Sequence, residues 1–309
     1  PSVFPSAAPR ETLHPRFADF CRLGRSLGYE SITINSNGIK FKSRAFTEEA
    51  LAAGLSHIDL SIHGDTPELH DAMMARPGAF AAFLKGMEHL REFAPKYGAV
   101  LGATTVVTAK NAPRLPSIAS MLIDQGIRAL RFKHCFEGGE GADADLVARY
   151  TALMAPVREA IKLVRSRGAT VSVTHFPLCL LGEEAVFATD FTDENVLSID
   201  RDGSVLLDGR ASTRRREGTS RCEKCQLAEA CTQLDRRYID AYGEDELRPL
   251  TTRRELEDFL AAGLRAHPSE PMRGNVRRYL QATSPSVETA PNPRQEEAPS
   301  AMNAGFISP

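Results

Sequence analysis

Apolar, β-rich segments alternate with amphipathic segments along the first 175 residues or so of the chain. Five of the apolar runs each follow a glycine: Gly28 before YESITIN, Gly54 before LSHIDLSI, Gly98 before AVLGATTVVT, Gly126 before IRALRFKH and Gly168 before ATVSVTH. Glycine just past a helix end accepts the left-handed backbone conformation that stops the helix. The pattern therefore predicts a repeated order of helix, glycine and strand.

The segments between these runs have apolar residues at helical spacing. They are RFADFCRLGRSL, FAAFLKGMEHLREF, LPSIASMLIDQ and LVARYTALMAPVREAIKLVRSR. Such alternation predicts a parallel sheet covered by helices, either open or closed into a barrel. Active sites in these folds lie at the C-terminal ends of the strands, so we expect the chemistry in segments 35–38, 61–65, 106–111 and 133–139.

The pattern changes after about residue 175. VLSIDRDGSVLLDGR predicts a β-hairpin with an Asp-Gly turn, and LDRRYIDAYG and TRRELEDFLAAGLRA predict two further helices. From about Ala282 the chain is rich in Pro, Ser, Glu and Asn, which predicts a disordered tail.

Composition narrows the class of protein. With 309 residues, 42% hydrophobic and 25% charged, the chain suits one α/β domain with an appendage or two modest domains. A net charge of -2 argues against a general role at nucleic acids or membrane surfaces. The sequence has no run of 18 apolar residues and no N-terminus that resembles a signal peptide, so we expect a cytoplasmic protein. The chain begins with Pro1 rather than Met, which suggests that its natural start is missing.

Three of the six cysteines lie close together in RCEKCQLAEAC, as Cys222, Cys225 and Cys231. A Cys-x2-Cys pair can bring two thiolates to one metal from a tight turn, and Cys231 can return to the same metal. Cys179, in the apolar run PLCLL, is available as a fourth ligand. Four thiolates suit zinc or an iron–sulfur cluster, and spacing alone favours zinc.

Several segments resemble the radical S-adenosylmethionine (radical SAM) superfamily, in particular its members with a C-terminal auxiliary-cluster domain of the SPASM or twitch type. The likeness covers roughly residues 12 to 250. Its pieces, in chain order, are TLHPRF followed by LGYESITINSNG, AAGLSHIDLSIHGDTPELHDAMMARPGAF, TTVVTAKNAPRLPSIASMLIDQGIRALRF, FPLCLLGEE and CEKCQLAEACTQLDRRYIDAYGEDELRPL. Their order is more specific than any one of them.

The resemblance implies a fold and a division of the chain. The fold would be α/β, a partial parallel (β/α) barrel of the radical SAM type with a small cysteine-ligated C-terminal α+β appendage. The implied parts are an atypical N-terminal segment (1–11), the barrel core (12–175), the auxiliary-cluster domain (176–250), C-terminal helices (251–281) and the disordered tail (282–309).

The resemblance also implies contacts to S-adenosylmethionine. The hydroxyl of Ser61 would bind its ribose or carboxylate, and His63 would reach the same cleft or cap the loop. Ser36 and Asn37 would lie near an adenine or amino-acid edge, although an Asn before glycine is favoured in turns anyway. Phe136 would pack on the adenine, or belong to the core.

At the cysteines the resemblance favours one auxiliary [4Fe–4S] cluster, with zinc as the alternative, held by Cys179, Cys222, Cys225 and Cys231. Further cysteines of the full SPASM pattern are replaced by Asp208 and Asp235, so only one cluster can form. Asp208 would be an exposed hairpin carboxylate or an unusual ligand.

The chain also departs from the family. The defining Cys-x3-Cys-x2-Cys motif, whose thiolates hold the catalytic [4Fe–4S] cluster, is missing, and only Cys21 and Cys135 precede residue 176. Residues 8–11, Ala-Pro-Arg-Glu, stand where the family has Gly-Gly-Glu-Pro. We expect an N-terminally truncated chain, or more rarely a degenerate relative, and no cleavage of S-adenosylmethionine by the chain as it stands. Its catalytic residues are unknown. Cys135 would be a buried thiol or a hydrogen-atom donor in the cleft.

The leading hypothesis is therefore a fragment of a radical SAM enzyme. When intact, such an enzyme generates a 5′-deoxyadenosyl radical and abstracts hydrogen from a peptide or small-molecule substrate, with a reducing partner such as a ferredoxin or flavodoxin. The alternative is a non-catalytic binding module that carries zinc or a cluster on a degenerate barrel. Neither hypothesis involves nucleic acid or a membrane.

Overall fold

The computed structural model describes residues 11–135, 146–189, 197–199, 205–207, 216–217, 219–228, 230–232 and 234–269. Within these ranges, five strands form one parallel sheet in the order β1-β2-β3-β4-β5. The strands are β1 (Thr33–Ser36), β2 (His57–Ser61), β3 (Val100–Val107), β4 (Ala129–His134) and β5 (Thr170–Thr174). Four of the predicted apolar runs contain the strand that was expected from them, and the first, YESITIN, stops one residue before the end of β1.

Helices connect these strands and cover the sheet. They are α1 (Phe17–Ser26), α2 (Arg44–Ala52), α3 (Pro67–Met74), α4 (Ala79–Tyr97), α5 (Leu115–Asp124) and α6 (Tyr150–Ser166). The four helices predicted from apolar spacing are confirmed as α1, α4, α5 and α6. Crossovers between parallel strands are right-handed, so strands in sequential order place their helices on one face of the sheet. This arrangement is one sector of a (β/α) barrel, and the predicted partial barrel is confirmed.

The glycine signals mark the places where helices give way to strands. All five have positive φ angles: Gly28 86°, Gly54 106°, Gly98 65°, Gly126 92° and Gly168 69°. Gly98 is the left-handed C-cap of α4, where its N–H bonds to the carbonyl of Pro95. Residues with a Cβ rarely adopt this conformation, which explains why glycine recurs before each strand.

The two faces of the sheet differ in chemistry. On β2, Ile58 and Leu60 are buried under the helices, whereas Asp59 and Ser61 point to the opposite face and are partly exposed. The same alternation continues on the neighbouring strands. We call this second face the polar face; its members include Asn35, Asp59, Ser61, Thr104, Arg131, Lys133, Ser172 and Thr174.

The C-terminal part of the chain is built from short elements. They are α7 (Leu178–Leu181), β6 (Leu197–Ile199), β7 (Val205–Leu207), β8 (Arg216–Glu217), β9 (Leu234–Asp235), α8 (Arg236–Tyr242) and α9 (Arg253–Ala266). β6 and β7 pair antiparallel, as the hairpin prediction required. Both predicted helices are present, and α9 begins with a capping box between Thr252 and Glu255.

Some predictions fall outside the described residues. These are the atypical segment up to residue 10, Phe136, Asp208, the Asp-Gly turn of the hairpin and the disordered tail at 282–309. Within the described ranges, no helix combines the length and apolar character that crossing a lipid bilayer would require.

A buried carboxylate joins α6 to the segment that follows α8. Glu246 is 8% exposed and accepts hydrogen bonds from the hydroxyl groups of Tyr238 and Thr151, and from the Thr151 N–H at 3.1 Å. The Tyr238 hydroxyl in turn accepts from the N–H of Tyr150 at 3.0 Å. Around it, Tyr150 stacks on His134 with ring centroids 4.1 Å apart. These contacts fasten the cysteine-bearing part of the chain to the C-terminal end of β4.

Candidate functional site

The C-terminal ends of the strands meet at one edge of the sheet. Ser36 at the end of β1 is in register with Leu60 of β2, and Ser61 is in register with Thr104 of β3. The loops that follow these strands therefore lie side by side. The sequence prediction that segments 35–38, 61–65 and 106–111 share one edge is confirmed.

Ser36 and Asn37 are held in the turn that follows β1. Ser36 is 1% exposed, and its Oγ accepts a hydrogen bond from the N–H of Gly38 at 3.2 Å. Asn37 Oδ1 accepts from the N–H of Ile39 at 3.1 Å. Gly38 has a φ of 78° and leads into a 3-10 turn. These bonds stabilise the turn itself, so the geometry accounts for both side chains without a ligand, and their cofactor contacts stay a prediction.

Ser61 and His63 are separated by a single residue, Ile62, at the end of β2, and their environments differ. Ser61 is partly exposed on the polar face. His63 is buried, and its Nδ1 accepts a hydrogen bond from the N–H of Val106 at 3.2 Å, which places the ring proton on Nε2. Burial, and then the neighbouring His70, lower the pKa of His63 to about 3. The imidazole is therefore neutral at ordinary pH.

His70 on α3 supports this loop. Its Nδ1 accepts from the N–H of His63 at 3.2 Å, and burial lowers the pKa of His70 to about 4. Gly64 allows the close approach, because a Cβ added there would lie 2.5 Å from the nitrogen of His70. The glycine in SIHGD thus has a packing reason, which is separate from any contact to a cofactor.

Asn111 is a residue of this edge that sequence reasoning did not single out, although it lies in the flagged segment 106–111. It is fully buried, and its Nδ2 donates to the carbonyl oxygens of His63 at 3.0 Å and Val106 at 2.8 Å. Its Oδ1 accepts from the N–H of Thr108 at 2.8 Å. One amide side chain therefore joins the loops after β2 and β3.

Cys135 follows β4 at the same edge. It is 5% exposed, and burial raises the pKa of its thiol to about 11 despite the nearby Lys133. A reactive cysteine needs an accessible, electropositive surrounding that favours the thiolate. The structure gives Cys135 the surroundings of a buried structural thiol, and Cys21 on α1 is likewise buried.

The four cysteines predicted to act together line one enclosed apolar cavity of about 20 Å³. Cys179 comes from α7, whereas Cys222, Cys225 and Cys231 come from the loop between β8 and β9. Leu178, Leu227 and Leu247 are among the residues that complete its walls. Cys179 thus lines the same cavity as the later three, and the role of all four as metal ligands stays a prediction.

Backbone N–H groups point at two of the sulfur atoms. The N–H of Leu178 lies 3.4 Å from Cys231 Sγ, although the two residues are 53 positions apart, and the N–H of Arg248 lies 3.4 Å from Cys179 Sγ. Burial raises the pKa of Cys179 to about 11, and the bond from Arg248 opposes that rise. A bound cation would favour the thiolate form.

The donor set fits a thiolate-bound metal in its chemistry: four sulfur atoms, N–H donors to two of them, and apolar walls. In the part of the chain that the structure describes, no group of three or more His, Cys, Asp or Glu side chains stands in a metal-holding geometry. The cysteines therefore share a cavity without forming a finished ligand set. Asp235, in the slot of a further SPASM cysteine, lies in β9, where its backbone is in register with that of Arg216 in β8.

The fold and these two sites define an α/β protein with a polar edge on a parallel sheet and a separate four-cysteine cavity. No family model matches the chain. The tungsten-containing aldehyde ferredoxin oxidoreductase cofactor-modifying protein of Pyrococcus furiosus is similar to it, with 23% identity over 196 residues, which is 63% of this chain and 53% of that protein. The chain thus spans about half the length of this curated relative.

Structures of SuiB from Streptococcus suis also resemble the chain. SuiB by itself has a TM-score of 0.42 and 13% identity, and the match covers 53% of this chain and 36% of SuiB. SuiB bound to S-adenosylmethionine has a TM-score of 0.41 and 12% identity, and the match covers 62% of this chain and 41% of SuiB. SuiB bound to the precursor peptide SuiA has a TM-score of 0.44 and 11% identity, and the match covers 77% of this chain and 53% of SuiB. Likenesses of this size identify neither a ligand nor an activity for this chain.

Proposed function

We propose that the chain is part of a radical SAM enzyme that carries one auxiliary [4Fe–4S] cluster. The observation that carries the proposal is that Cys179 lines the same cavity as Cys222, Cys225 and Cys231. The sequence segments that resemble the superfamily and the partial (β/α) barrel support the same proposal. In this proposal the barrel comprises residues 12–175 and the auxiliary domain residues 176–250.

The four thiolates would hold the auxiliary cluster, which when bound would accept an electron or bind substrate. The N–H groups of Leu178 and Arg248 would then donate to the ligating sulfur atoms of Cys231 and Cys179. Hydrogen bonds to the sulfur atoms are one of the factors that set the reduction potential of such a cluster. The Thr219 hydroxyl also donates to a cysteine sulfur, Cys222 Sγ, at 3.4 Å, so these three donors would contribute to tuning the site.

At the sheet edge, Ser61 and His63 are the proposed contacts to S-adenosylmethionine. The hydroxyl of Ser61 can donate or accept, and His63 carries its ring proton on Nε2 while Nδ1 is engaged by Val106. A histidine that stays neutral contributes a polar contact and adds no charge beside a cationic sulfonium. Ser36 and Asn37 would order the adjacent turn and offer their remaining donors.

The catalytic cluster of the intact enzyme would supply the electron that cleaves S-adenosylmethionine. The residues present do not fit that group, because the chain has no Cys-x3-Cys-x2-Cys sequence and Cys135 is buried. A peptide or small-molecule substrate and a ferredoxin- or flavodoxin-type reductant belong to the proposal for the whole enzyme. The name of the Pyrococcus furiosus relative, a cofactor-modifying protein, is in keeping with a small-molecule substrate.

The alternative is a binding module that holds zinc without catalysis. One observation favours it: a cavity of about 20 Å³ has the volume for a single ion rather than for four iron and four sulfide atoms. Tetrahedral sites made of four cysteine thiolates are a common way for proteins to hold structural zinc. In this reading the cysteines stabilise the appendage, and the sheet edge serves recognition.

Metal analysis of the full chain, expressed and purified without oxygen, separates these functions. The radical SAM proposal expects iron, acid-labile sulfide and the broad visible absorption of a cluster. Cys225→Ser should lose them, and the matched control Cys135→Ser should keep them. Zinc in place of iron would support the binding module, and a protein that holds neither metal would contradict both.

A further inference from the structure

An open groove of about 650 Å³ runs along helix α3. Residues of α3 and of the turn that follows it form most of its lining, and Lys110 and Leu146 complete it from the segments after β3 and before α6. The volume lies within the range of roughly 300–1,000 Å³ that is usual for ligand sites. The groove is separate from both the cysteine cavity and the turn after β1.

The apolar part of the lining is held in place by the fold. Leu69, Met73 and Leu146 contribute to it, and Met73 and Leu146 are themselves buried. The hydroxyl of Thr108 lies 3.9 Å from Met73 Sδ, and the N–H of Ala109 donates to the carbonyl of Leu146 at 3.0 Å. The groove therefore exists before any ligand enters it, as most ligand sites do.

Two of the four charged lining residues are already engaged. Asp71 Oδ2 accepts from the N–H of Gly78 at 2.6 Å, and its Oδ1 accepts from the N–H of Phe80 at 2.8 Å. These bonds fasten the start of α4 to α3. Lys110 also has an interaction of its own. Neither residue is therefore counted as a ligand contact.

Glu68 and Arg76 are the two charges that remain. Both are exposed, and within the ranges that the structure describes neither side chain has an ion pair or a hydrogen bond. Glu68 lies in the first turn of α3, and Arg76 lies two residues beyond the last residue of the helix. At about 1.5 Å per residue, these positions are roughly 10–12 Å apart along the groove.

The charges favour a ligand that is neutral overall but charged at both ends. The four charged lining residues sum to zero, so the groove has no preference for a net charge of either sign. A free amino acid does not fit, because its ammonium and carboxylate groups are only about 3 Å apart. Such a ligand could reach Glu68 or Arg76, but not both.

An extended peptide has the spacing that the groove requires. Successive side chains of an extended chain point to opposite sides, and each residue advances the chain by about 3.3 Å. Side chains at positions 1, 3 and 5 therefore share one side and span roughly 13 Å. A basic and an acidic side chain at the two ends would meet Glu68 and Arg76, with an apolar side chain between them on Leu69 and Met73.

We propose that the groove along α3 binds an extended peptide segment in which a basic and an acidic residue, four positions apart, flank a central apolar residue. The oppositely charged ends give the segment its orientation, and the apolar residue is its anchor. This proposal goes beyond the proposed function, because it does not depend on a metal at the cysteines or on S-adenosylmethionine.

Isothermal titration of the full chain with pentapeptides blocked at both ends tests the proposal. We expect Lys-Ser-Leu-Ser-Glu to bind at least fivefold more tightly than Lys-Ser-Leu-Ser-Lys or Glu-Ser-Leu-Ser-Glu. Lys-Leu-Ser-Ser-Glu, which has the same composition but its leucine on the other side, should bind equally weakly. Binding of the first peptide should also weaken as salt is added, because both end contacts are exposed ion pairs.

Reversal of one charge should reverse the preference between peptides. Arg76→Glu should bind Lys-Ser-Leu-Ser-Lys more tightly than Lys-Ser-Leu-Ser-Glu. The matched control is Arg91→Glu on α4, because Arg91 is also exposed, has no ion pair with a described residue and does not line the groove. The control should keep the order of the wild type.

A second pair of variants tests the groove without changing its charge. Ala72 is exposed on α3 and lines the groove, so Ala72→Gln should narrow it and weaken Lys-Ser-Leu-Ser-Glu severalfold. Ala81→Gln, at an exposed position of α4 outside the groove, should have no effect on binding. Both sites are helical and accept glutamine readily, so both variants should fold.

Equal binding of all four peptides, or the same peptide order in Arg76→Glu and wild type, would overturn the proposal. Equal affinities of the Ala72 and Ala81 variants would also count against the groove. If Glu68 and Arg76 only stabilise the ends of α3, Arg76→Glu should lower the melting temperature and leave peptide binding unchanged. The iron content of the same preparation reports on the proposed function separately, so either proposal can fail without the other.

Discussion

The side-chain amide of Asn111 donates to the backbone carbonyl oxygen of His63 across 3.0 Å, although the two residues are 48 positions apart. The same amide also binds the carbonyl of Val106. Because the amide is buried, it replaces the water that would otherwise satisfy these carbonyl groups. The loop that presents His63 is therefore positioned by a residue of the next strand–helix connection.

Replacement of Asn111 by Ala should destabilise the protein by about 3 kcal/mol, because two carbonyl oxygens and the N–H of Thr108 lose a buried partner. Urea unfolding followed by circular dichroism measures this loss. Asn35→Ala on the exposed face of β1 is the matched control and should change stability little. Equal stability of the two variants would contradict the role given to Asn111.

Replacement of Gly64 by Ala should cost about 2–3 kcal/mol, because the new Cβ would lie 2.5 Å from the backbone nitrogen of His70. The clash involves backbone atoms of α3 and cannot be relieved by a side-chain rotation. Gly102→Ala is the control, since its nearest contact would be an ordinary 3.4 Å to the carbonyl oxygen of Ala129. A thermal melt that shifts equally for both variants would count against the close approach.

The sheet could be predicted from the sequence because its signals are local. Gly54 stops α2, and the alternation in LSHIDLSI then gives β2 its buried and polar faces. Helices α2 and α3 were not singled out from apolar spacing, although Ser43 and Thr66 just before them are N-cap signals. Local chemistry was thus sufficient for the sheet, and the omissions were two short helices.

The site was less predictable because its contacts are distant in sequence. Cys179 could be matched to Cys231 only through a resemblance, since spacing says nothing about a partner so far along the chain. Asn111 lay in a flagged segment but was not singled out, and Glu246 gave no signal, because their partners His63 and Thr151 lie 48 and 95 positions away. A buried amide and a buried carboxylate look like ordinary surface residues until the chain is folded.

His63 and His70 should make the protein less stable as the pH falls below neutrality. Burial holds their pKa values at about 3 and about 4, below the ordinary 6.5. Between about pH 4 and 6.5 the unfolded chain therefore binds more protons than the folded one, so the unfolding free energy falls as pH falls. Each histidine contributes a slope of up to about 1.4 kcal/mol per pH unit.

The histidine contribution can be separated from that of other groups with His70→Gln. Glutamine keeps an acceptor for the N–H of His63 but does not titrate. The useful range is about pH 5 to 6.5, because it lies between the lowered pKa values and the ordinary 6.5. In this range the unfolding free energy of the variant should fall less steeply with pH than that of the wild type. Parallel pH profiles would show that His70 is not held neutral in the native protein.

Cys135 should resist alkylation in the folded protein. Its thiol is buried, and a pKa of about 11 leaves little thiolate at pH 8, so iodoacetamide should react roughly 100-fold more slowly than after unfolding in urea. Peptide mass spectrometry of a time course gives the rate for each cysteine. Rapid labelling of native Cys135 would restore it as a reactive group of the cleft.

Glu246 should be essential for fastening the cysteine-bearing part of the chain to the barrel. Glu246→Ala would leave the hydroxyl of Tyr238 and the N–H of Thr151 buried without an acceptor, so we expect a loss of about 2–4 kcal/mol in unfolding free energy. Glu246→Gln keeps one acceptor oxygen and should lose less. The control Glu257→Ala removes an exposed ion pair with Arg253 on α9 and should leave the denaturation curve unchanged.

Because Leu247 and Arg248 contact the cysteine cavity directly after Glu246, Glu246→Ala should also lower the metal content of the purified protein, whereas Glu257→Ala should not. A Glu246→Ala protein that unfolds like wild type and binds metal fully would show that the cavity is assembled independently of this carboxylate.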